Sequence, residues 1–335
     1  MKRWIIAAVA AALTGPGAVP AASQWKPDRP INLIVPWAPG GATDQVTRLA
    51  ASEMEAALGQ KIVVVNQPGA SGSIGTKNAL DAPKDGYTWT AGAVQDLGVY
   101  KVLGMAPTDL GDWNLYLSVA NVPVISVNPQ TPYQSLGDLL KAMKEKPRTV
   151  TISTGGVASA SHNAAEAITR AAGVEYRHVT YDGGNPAVVA AVAGEVNATT
   201  QLAVEQAEMI RGKRLRPLAA FSEQPLELSG FGTISSVTAA LSGLKPPTSY
   251  FGIFVPKGVP AEVTATLDKI WAETIAKSTK LQAYARDRGA LFAPLAGPEA
   301  ATKAMPVVRA NAWLLHEAGK SKVAPDTVGI AKPDA

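Results

Sequence analysis

The chain has 335 residues, with 31 lysines and arginines against 27 aspartates and glutamates, and neither sign forms a sustained run. A net charge of +4 distributed in this way is not typical of a nucleic-acid-binding protein. The hydrophobic content of 47% excludes disorder and indicates a globular protein of about two domains. Because cysteine is absent, disulfides, thiolate metal sites and cysteine nucleophiles are excluded.

The sequence also argues against an enzyme. His162, His178 and His316 form neither an H-E-x-x-H motif nor any other close pair, so a zinc site is not expected. The glycine-rich stretch 69–75 has neither the Gly-x-Ser-x-Gly spacing of hydrolases nor the Gly-x-Gly-x-x-Gly spacing of dinucleotide-binding enzymes. We therefore predict no catalytic residue, no metal and no cofactor.

The first residues indicate export. Lys2 and Arg3 precede an apolar run over residues 4–13, and small residues follow it. This order predicts a cleaved secretory signal peptide over residues 1–23 and a periplasmic mature protein. A permanent membrane anchor is the alternative, but glycine and proline at 15–17 end the run well short of the roughly 20 residues that a spanning helix needs.

The mature chain then alternates short β-rich runs with helical patterns, which is typical of an α/β protein. In the first series, strands are predicted at 31–35, at 61–65 and through Trp89. Apolar residues at helical spacing predict a helix over 42–58, ended by Gly59.

A second series of the same kind begins near residue 150. Its predicted strands are 150–153, 176–180, 198–201 and 216–221, and its predicted helices are 163–172, 186–193 and 204–211. A strand over 251–255 and mostly helical sequence follow. Two α/β series in one chain predict two lobes, each a mainly parallel sheet flanked by helices.

Two loops are candidates for ligand binding, because ligands of open parallel sheets bind where strands end and helices begin. In the first loop, Gly40 and Gly41 allow close approach to the backbone, and Thr43 and Asp44 lie at the helix entrance. Helix capping, worth about 1 kcal/mol, is the alternative explanation for these two polar residues. Trp37 in the same loop could line a ligand or cover the sheet edge.

The second loop, residues 153–162, is rich in hydroxyls and small residues immediately before a helix. A carboxylate there would accept hydrogen bonds from serine, threonine and backbone N–H groups, with support from the helix dipole. A helix N-cap with a flexible approach explains the same residues. Because both lobes present an anion-receptive loop, we favour a shared binding cleft.

Several blocks carry a resemblance to a known family: VPWAPGGATD from residue 35, NQPGASGSIG from 66, HVTYDGG from 178 and VPKGVP from 255. In this order they closely resemble the Bug-type substrate-binding proteins of tripartite tricarboxylate transporters. The resemblance implies a type II-like, two-lobed periplasmic binding protein with a hinge, which captures a small organic acid for integral-membrane permease subunits. It implies a monomer without cofactor or nucleic acid.

By position, the resemblance implies lobe 1 from residues 24–124 and 248–335, and lobe 2 from 125–247. The implied ligand-binding residues are Trp37, Ala38, Pro39, Gly40, Gly41, Thr43, Asp44, Ser153, Thr154, Ser159, Ser161, Tyr181 and Gln201. The sequence departs from the family where Thr180 replaces the usual proline, where the loop before His162 aligns imperfectly, and where residues 199–201 replace a common acidic residue.

Asp44 is expected to stay ionised at its helix N-terminus and to select against a purely anionic group at that end of the cleft. The neutral donors of both loops suit di- or tricarboxylates and also aromatic acids, whose ring Trp37 and Tyr181 could flank. A periplasmic protein that reports its ligand to a membrane receptor is the alternative to a transport receptor.

Overall fold

The computed structural model describes residues 25–333, and the predicted signal peptide therefore lies outside the described residues. The strands are β1 Ile31–Val35, β2 Ile62–Asn66, β3 Thr88–Ala93, β4 Trp113–Asn121, β5 Val124–Val127, β6 Thr151–Thr154, β7 Arg177–Thr180, β8 Ala198–Thr199, β9 Arg216–Ala220, β10 Leu226–Leu228, β11 Gly232–Ile234, β12 Ser249–Pro256 and β13 Ala290–Ala296. The helices are α1 Ala42–Leu58, α2 Ser73–Asp81, α3 Val94–Leu103, α4 Leu136–Glu145, α5 Ala160–Ala172, α6 Gly184–Ala193, α7 Ala203–Arg211, α8 Ala261–Glu273, α9 Thr279–Arg288 and α10 Gly297–Glu317.

These elements form two separate mixed sheets flanked by helices, which confirms the predicted α/β fold of two lobes. The six-stranded sheet has the order β13-β4-β12-β3-β1-β2, and with its helices we call it lobe 1. The five-stranded sheet has the order β7-β6-β8-β5-β9, and with its helices it is lobe 2. Strands β10 and β11 pair as a small hairpin.

The sheets are less parallel than the sequence predicts. In lobe 1, β1 pairs in parallel with β2 and β3, but β12 is antiparallel to both β3 and β4, and β13 is antiparallel to β4. In lobe 2, β5 is antiparallel to both of its neighbours. The reason in lobe 1 is chain connectivity: β4 leads the chain into lobe 2 and β12 brings it back alongside, so the two strands run in opposite directions.

Burial explains the central strands and the helices that cover them. Ile31, Leu33 and Val35 on β1 are fully buried, as expected for a strand with helices on both faces. One face of the lobe 1 sheet packs on α1, α8 and α9, where Met54 and Trp271 are buried. The other face packs on α3 and α10. Within residues 25–333, no helix combines the length and apolar character needed to cross a membrane.

The ends of β1 and β6 position the two loops that the sequence singles out. Strand β1 ends at Val35 and the chain enters α1 at Ala42, while β6 ends at Thr154 and the chain enters α5 at Ala160. Helix α5 begins earlier than predicted because the hydroxyl of Ser159 accepts a hydrogen bond from the His162 amide at 3.3 Å, which caps the helix.

Candidate functional site

A cavity of about 40 Å³ lies between the two lobes, and we call it the interlobe cavity. Both predicted loops contribute to its wall, together with residues from α3, α6, α7 and β12. The lining residues are Trp37, Gly41, Ala42, Thr43, Asp96, Gly155, Ser159, Ala160, Ser161, Gly184, Gln201, Leu202, Glu205 and Phe251. At this volume the cavity has room for only a few water molecules, so a larger molecule can enter only when the two lobes move apart.

The structure brings together about half of the residues that the sequence singles out. Those that line the interlobe cavity are Trp37, Gly41, Thr43, Ser159, Ser161 and Gln201. Those that lie outside its wall are Ala38, Pro39, Gly40, Asp44, Ser153, Thr154 and Tyr181. Gly41 and Ser159, one from each lobe, therefore share a cavity, as the predicted cleft requires.

Some of the residues outside the wall make the contact between the lobes. A Cβ atom added at Gly183 in lobe 2 would lie 3.2 Å from the backbone nitrogen of Ala38 in lobe 1. One added at Gly40 would lie 3.6 Å from Nδ2 of Asn185. The first loop thus packs directly against the start of α6, a contact that sequence reasoning did not identify.

The second-lobe residues outside the wall support the sheet beneath the cavity. Ser153 Oγ donates to the carbonyl of Ala187 at 2.8 Å, and Thr154 Oγ1 lies 2.5 Å from Nε2 of His178. The Tyr181 hydroxyl reaches Glu195 at 3.5 Å, away from the cavity.

The Trp37 side chain forms part of the cavity wall and contacts both lobes. Its side chain is only 8% exposed. Cβ atoms added at Gly72 in lobe 1 and at Gly156 in lobe 2 would lie 3.1 and 3.3 Å from its ring. The ring therefore packs between two glycines, and its position depends on the lobes being close together.

The Asp44 carboxylate forms hydrogen bonds within lobe 1 that hold the first loop in place. Its carboxylate accepts hydrogen bonds from the Gly40 amide at 3.0 Å, from Arg48 Nε at 2.9 Å and from Asn66 Nδ2 at 2.9 Å. Burial favours a higher pKa, but these hydrogen bonds together with the positive charge of Arg48 outweigh it and hold the pKa of Asp44 below its ordinary value. Asp44 is thus ionised as predicted, but its charge is neutralised within lobe 1.

Glu205, on α7 of lobe 2, is an acidic residue that lines the cavity and was not predicted from the sequence. Its Oε1 accepts the backbone N–H of Ala42 at 2.8 Å, across the cleft at the start of α1. Its Oε2 accepts the N–H of Leu202 at 3.3 Å, and the Gln201 amide reaches the same oxygen at 2.9 Å when its nitrogen faces Glu205. Burial raises the pKa of Glu205 to about 7, although its two backbone hydrogen bonds act in the opposite direction.

Asp96, in the first turn of α3, is a second acid that sequence reasoning missed. Its side chain is 6% exposed and lines the interlobe cavity. Its Oδ1 has no hydrogen-bond partner among residues 25–333. Burial raises the pKa of Asp96 well above its ordinary value.

The cavity therefore contains two carboxyl groups with raised pKa values and, among the described residues of its lining, no cationic partner for either. Its lining, within the described part of the chain, contains Asp96 and Glu205 but no lysine, arginine or histidine. The same part of the chain holds no group of three histidine, aspartate or glutamate side chains that could bind a metal ion. The site can bind a ligand through hydroxyls, amides and helix N-termini, and it can accept hydrogen bonds through two carboxyl groups.

The missed acids had only a weak sequence signal. Each lies in the first turn of a helix, where an acidic residue ordinarily stabilises the helix dipole and draws no attention. Their chemistry depends on which lobe faces them, and only the tertiary structure supplies that information.

Comparison with known proteins fits this two-lobed site. Residues 46–286 match the family described as the tripartite tricarboxylate transporter family receptor. The chain belongs to this family. Within it, the chain is 32% identical over 272 residues to a UPF0065 protein from the tcbD–tcbE intergenic region of a Pseudomonas species, and the match covers 80% of each protein.

A second relative and a solved structure support the same family. Protein BugT of Bordetella pertussis is 29% identical, over 80% of this chain and 83% of BugT. A solved structure described as a periplasmic transporter is 26% identical with a TM-score of 0.78, over 88% of this chain and 97% of the other. The chain is therefore a Bug-type solute-binding receptor and not an enzyme. The family is described as the receptor of a transport system, and the solved structure at 26% identity is described as periplasmic.

Proposed function

We propose that this receptor captures a small organic acid in the interlobe cavity and delivers it to a tripartite tricarboxylate-type permease. In this proposal, lobe 1 comprises residues 24–124 and 248–335, and lobe 2 comprises 125–247. The protein reaches the periplasm through its cleaved signal peptide and acts as a monomer.

One observation carries the proposal. A single cavity joins the β1–α1 loop of lobe 1, through Gly41 and Thr43, with the β6–α5 loop of lobe 2, through Ser159 and Ser161. Each loop ends at a helix N-terminus, where backbone N–H groups favour an anion. A ligand between them would contact both lobes at once.

The hydroxyls of lobe 2 are the best receptors for a ligand carboxylate. Ser159 Oγ and Ser161 Oγ lie 2.9 Å apart at the start of α5, and the Gly155 amide donates to Ser161 Oγ at 3.1 Å. This cluster of donors can turn towards a carboxylate without introducing a buried charge. Recognition of the acid would then rest on hydrogen bonds and the dipole of α5.

Closure of the lobes would couple binding to delivery. Contacts made by a ligand to both lobes exist only when the lobes are closed, so binding shifts the population towards the closed form. A permease that contacts both lobes would then distinguish a loaded receptor from an empty one.

A thermal-shift screen of the mature chain against malate, succinate, citrate, benzoate and other small carboxylates tests the proposal. A ligand that binds only the folded protein raises its melting temperature as occupancy rises. We expect one group of acids to raise it, and the Ser161→Ala variant to lose most of that shift. Ser52→Ala, an exposed serine on α1, is the matched control. No shift with any acid would overturn the proposal.

A further inference from the structure

The start of α1 already has a carboxylate bound to it. Glu205 of lobe 2 accepts the N–H of Ala42 at 2.8 Å, which is the position where a helix N-terminus favours an anion. A ligand carboxylate brought to the same place would compete for the same donor. It would also lie beside another acidic group.

Both oxygens of the Glu205 carboxylate accept hydrogen bonds. Its other oxygen is held by the Leu202 amide and by Gln201 on its own lobe. Gly184 packs so closely against the carboxylate that an added Cβ atom would overlap it. A ligand would therefore meet this carboxylate in place, and Glu205 is part of the wall that the ligand must satisfy.

Asp96 gives independent support. It lines the same cavity, is almost fully buried, and its Oδ1 has no partner among the described residues. A buried carboxyl oxygen without a partner is costly, and a hydrogen-bond donor from a ligand would remove that cost. A hydrogen-bond donor from a ligand would favour the ionised form of both acids, whereas a second anion would keep them protonated. With no cation in the described lining, the pair therefore selects for a donor.

The opposite requirement holds at the α5 end of the cavity. There the hydroxyls of Ser159 and Ser161 and the helix N-terminus favour an anion. The cavity is therefore asymmetric, with one end suited to a carboxylate and the other suited to a group that donates hydrogen bonds.

We propose that the ligand of this receptor carries a carboxylate at one end and a nitrogen hydrogen-bond donor, an amide or an ammonium group, at the other, with Glu205 and Asp96 accepting from that nitrogen. This inference rests on the proposed function, because it assumes that the interlobe cavity binds an organic acid. The raised pKa of Glu205, about 7, agrees with a carboxyl group that lacks a cationic partner in the ligand-free protein.

Isothermal titration of the mature protein with matched probes tests the inference. Each dicarboxylate is paired with its own monoamide, from malonate and malonamate to adipate and adipamate, and 4-aminobutyrate represents the ammonium class. We expect the monoamide or the amino acid to bind at least about tenfold tighter than the matched dicarboxylate, because the dicarboxylate leaves the buried Oδ1 of Asp96 without a donor and places a second anion beside two acids. The two nitrogen classes distinguish an amide from an ammonium ligand.

The Glu205→Gln variant tests the residue itself, since glutamine can still accept from Ala42 while it loses the charge. We expect the preference for the nitrogen ligand to fall to about threefold or less in this variant. Asp96→Asn is also expected to reduce the preference for the nitrogen ligand. Glu145→Gln on α4 of lobe 2 is the matched control, because Glu145 is exposed and pairs with Lys141 on the same helix at the surface.

The outcomes separate the inference from the proposed function. Tight binding of dicarboxylates that is unchanged in Glu205→Gln would overturn the inference while organic-acid binding stands. Equal loss of preference in Glu145→Gln would also overturn it. Absence of binding by every acid, with or without nitrogen, would overturn the proposed function and the inference with it.

Discussion

Asp44 and Glu205 are both acids in the first turn of a helix, yet their surroundings shift their pKa values in opposite directions. Asp44 receives three hydrogen bonds within lobe 1, one of them from Arg48, and these lower its pKa. Glu205 has no charged donor to offset burial, which raises its pKa. The number and charge of the donors, rather than the position in the helix, decides the ionisation of each acid.

Asp44→Asn is predicted to destabilise the protein by about 2 kcal/mol near neutral pH, because a hydrogen-bonded ionised acceptor is lost. The folded pKa lies below the ordinary value of 3.8, so this stabilisation is present above that value and is lost as the pH falls through the folded pKa. Urea unfolding of both proteins near pH 7 and at about pH 3 measures the difference, which should shrink in acid.

The same variant also tests the selectivity role that the sequence suggested for Asp44. Because its carboxylate faces Gly40, Arg48 and Asn66, we expect Asp44→Asn to weaken every ligand by a similar factor. A change in the order of ligand preference would instead support a direct selectivity role for Asp44.

Gly184→Ala is predicted to weaken ligand binding by about tenfold and to lower the free energy of unfolding by about 1–3 kcal/mol. An added methyl group would overlap the Glu205 carboxylate and displace it from Ala42, while alanine itself suits the first turn of α6. Gly243→Ala is the control, since an added Cβ there meets no atom within 4 Å. Equal affinities of the two variants would show that the position of Glu205 does not matter for binding.

At the scale of elements, α5 carries a cluster of titratable groups beneath the cavity. The rings of His162 and His178 stack at 4.2 Å, and Glu166 accepts hydrogen bonds from Lys320 at 2.7 Å and from the Tyr176 hydroxyl at 2.8 Å. Burial lowers the pKa of His178 to about 3, with help from the charges of His162 and Lys320, and burial also lowers the pKa of His162. Both rings are therefore neutral near neutral pH.

This cluster predicts that acid weakens the fold. The unfolded chain protonates each histidine near its ordinary value of 6.5, whereas the folded chain resists protonation, so stability is lost as the pH falls from about 6.5 towards 3. His178→Gln is expected to reduce that loss. Denaturant unfolding between pH 7 and pH 4.5 measures the slope, and an unchanged slope in the variant would contradict the assignment.

The sequence predicts some elements closely and misses others, for a physical reason. Strand β1 and helix α1 have the predicted bounds because their apolar periodicity and the glycine after α1 are local signals. Strands β4 and β13 were not predicted, since their pairing is with β12 and with each other and is set by the path of the chain between lobes. The mainly parallel sheets were predicted from local alternation alone, which does not report strand direction.

The residues of the site likewise fall into those with a local sequence signal and those without one. Gly41, Thr43, Ser159 and Ser161 could be found because a loop before a helix is visible in the sequence. Glu205 could not, because its cleft-side partner, Ala42, is 163 residues away along the chain and on the other lobe. Residues whose role depends on the approach of two lobes have no local signal.

At the scale of the whole molecule, α10 connects the lobes. It spans 21 residues, about 30 Å, and the residues at its far end pair with α5 of lobe 2. Lys320 contacts Glu166 at 2.7 Å, and Glu317 contacts Arg170 at 2.6 Å. Burial opposes ionisation of Glu166, but hydrogen bonds from His162 and Lys320 outweigh it and hold its pKa well below the usual range. These pairs stabilise the closed arrangement.

Lys320→Gln is predicted to shift the lobes towards the open form. A partly exposed ion pair contributes up to about 1 kcal/mol, so ligand affinity should fall by about fivefold, since the closed form becomes less populated. Small-angle scattering should show a larger radius of gyration without ligand, and a return to the compact value at saturation.

Lys332→Gln is the matched control, because Lys332 pairs with Glu317 within lobe 1 at 3.7 Å. The two substitutions change the net charge of the protein by the same amount. It should leave the affinity and the scattering of the ligand-free protein unchanged. If both variants lower affinity alike, overall charge rather than the contact between lobes is responsible. If Lys320→Gln has no effect on either measurement, the cost of opening lies instead in the packing of Trp37 and Gly183 at the cleft.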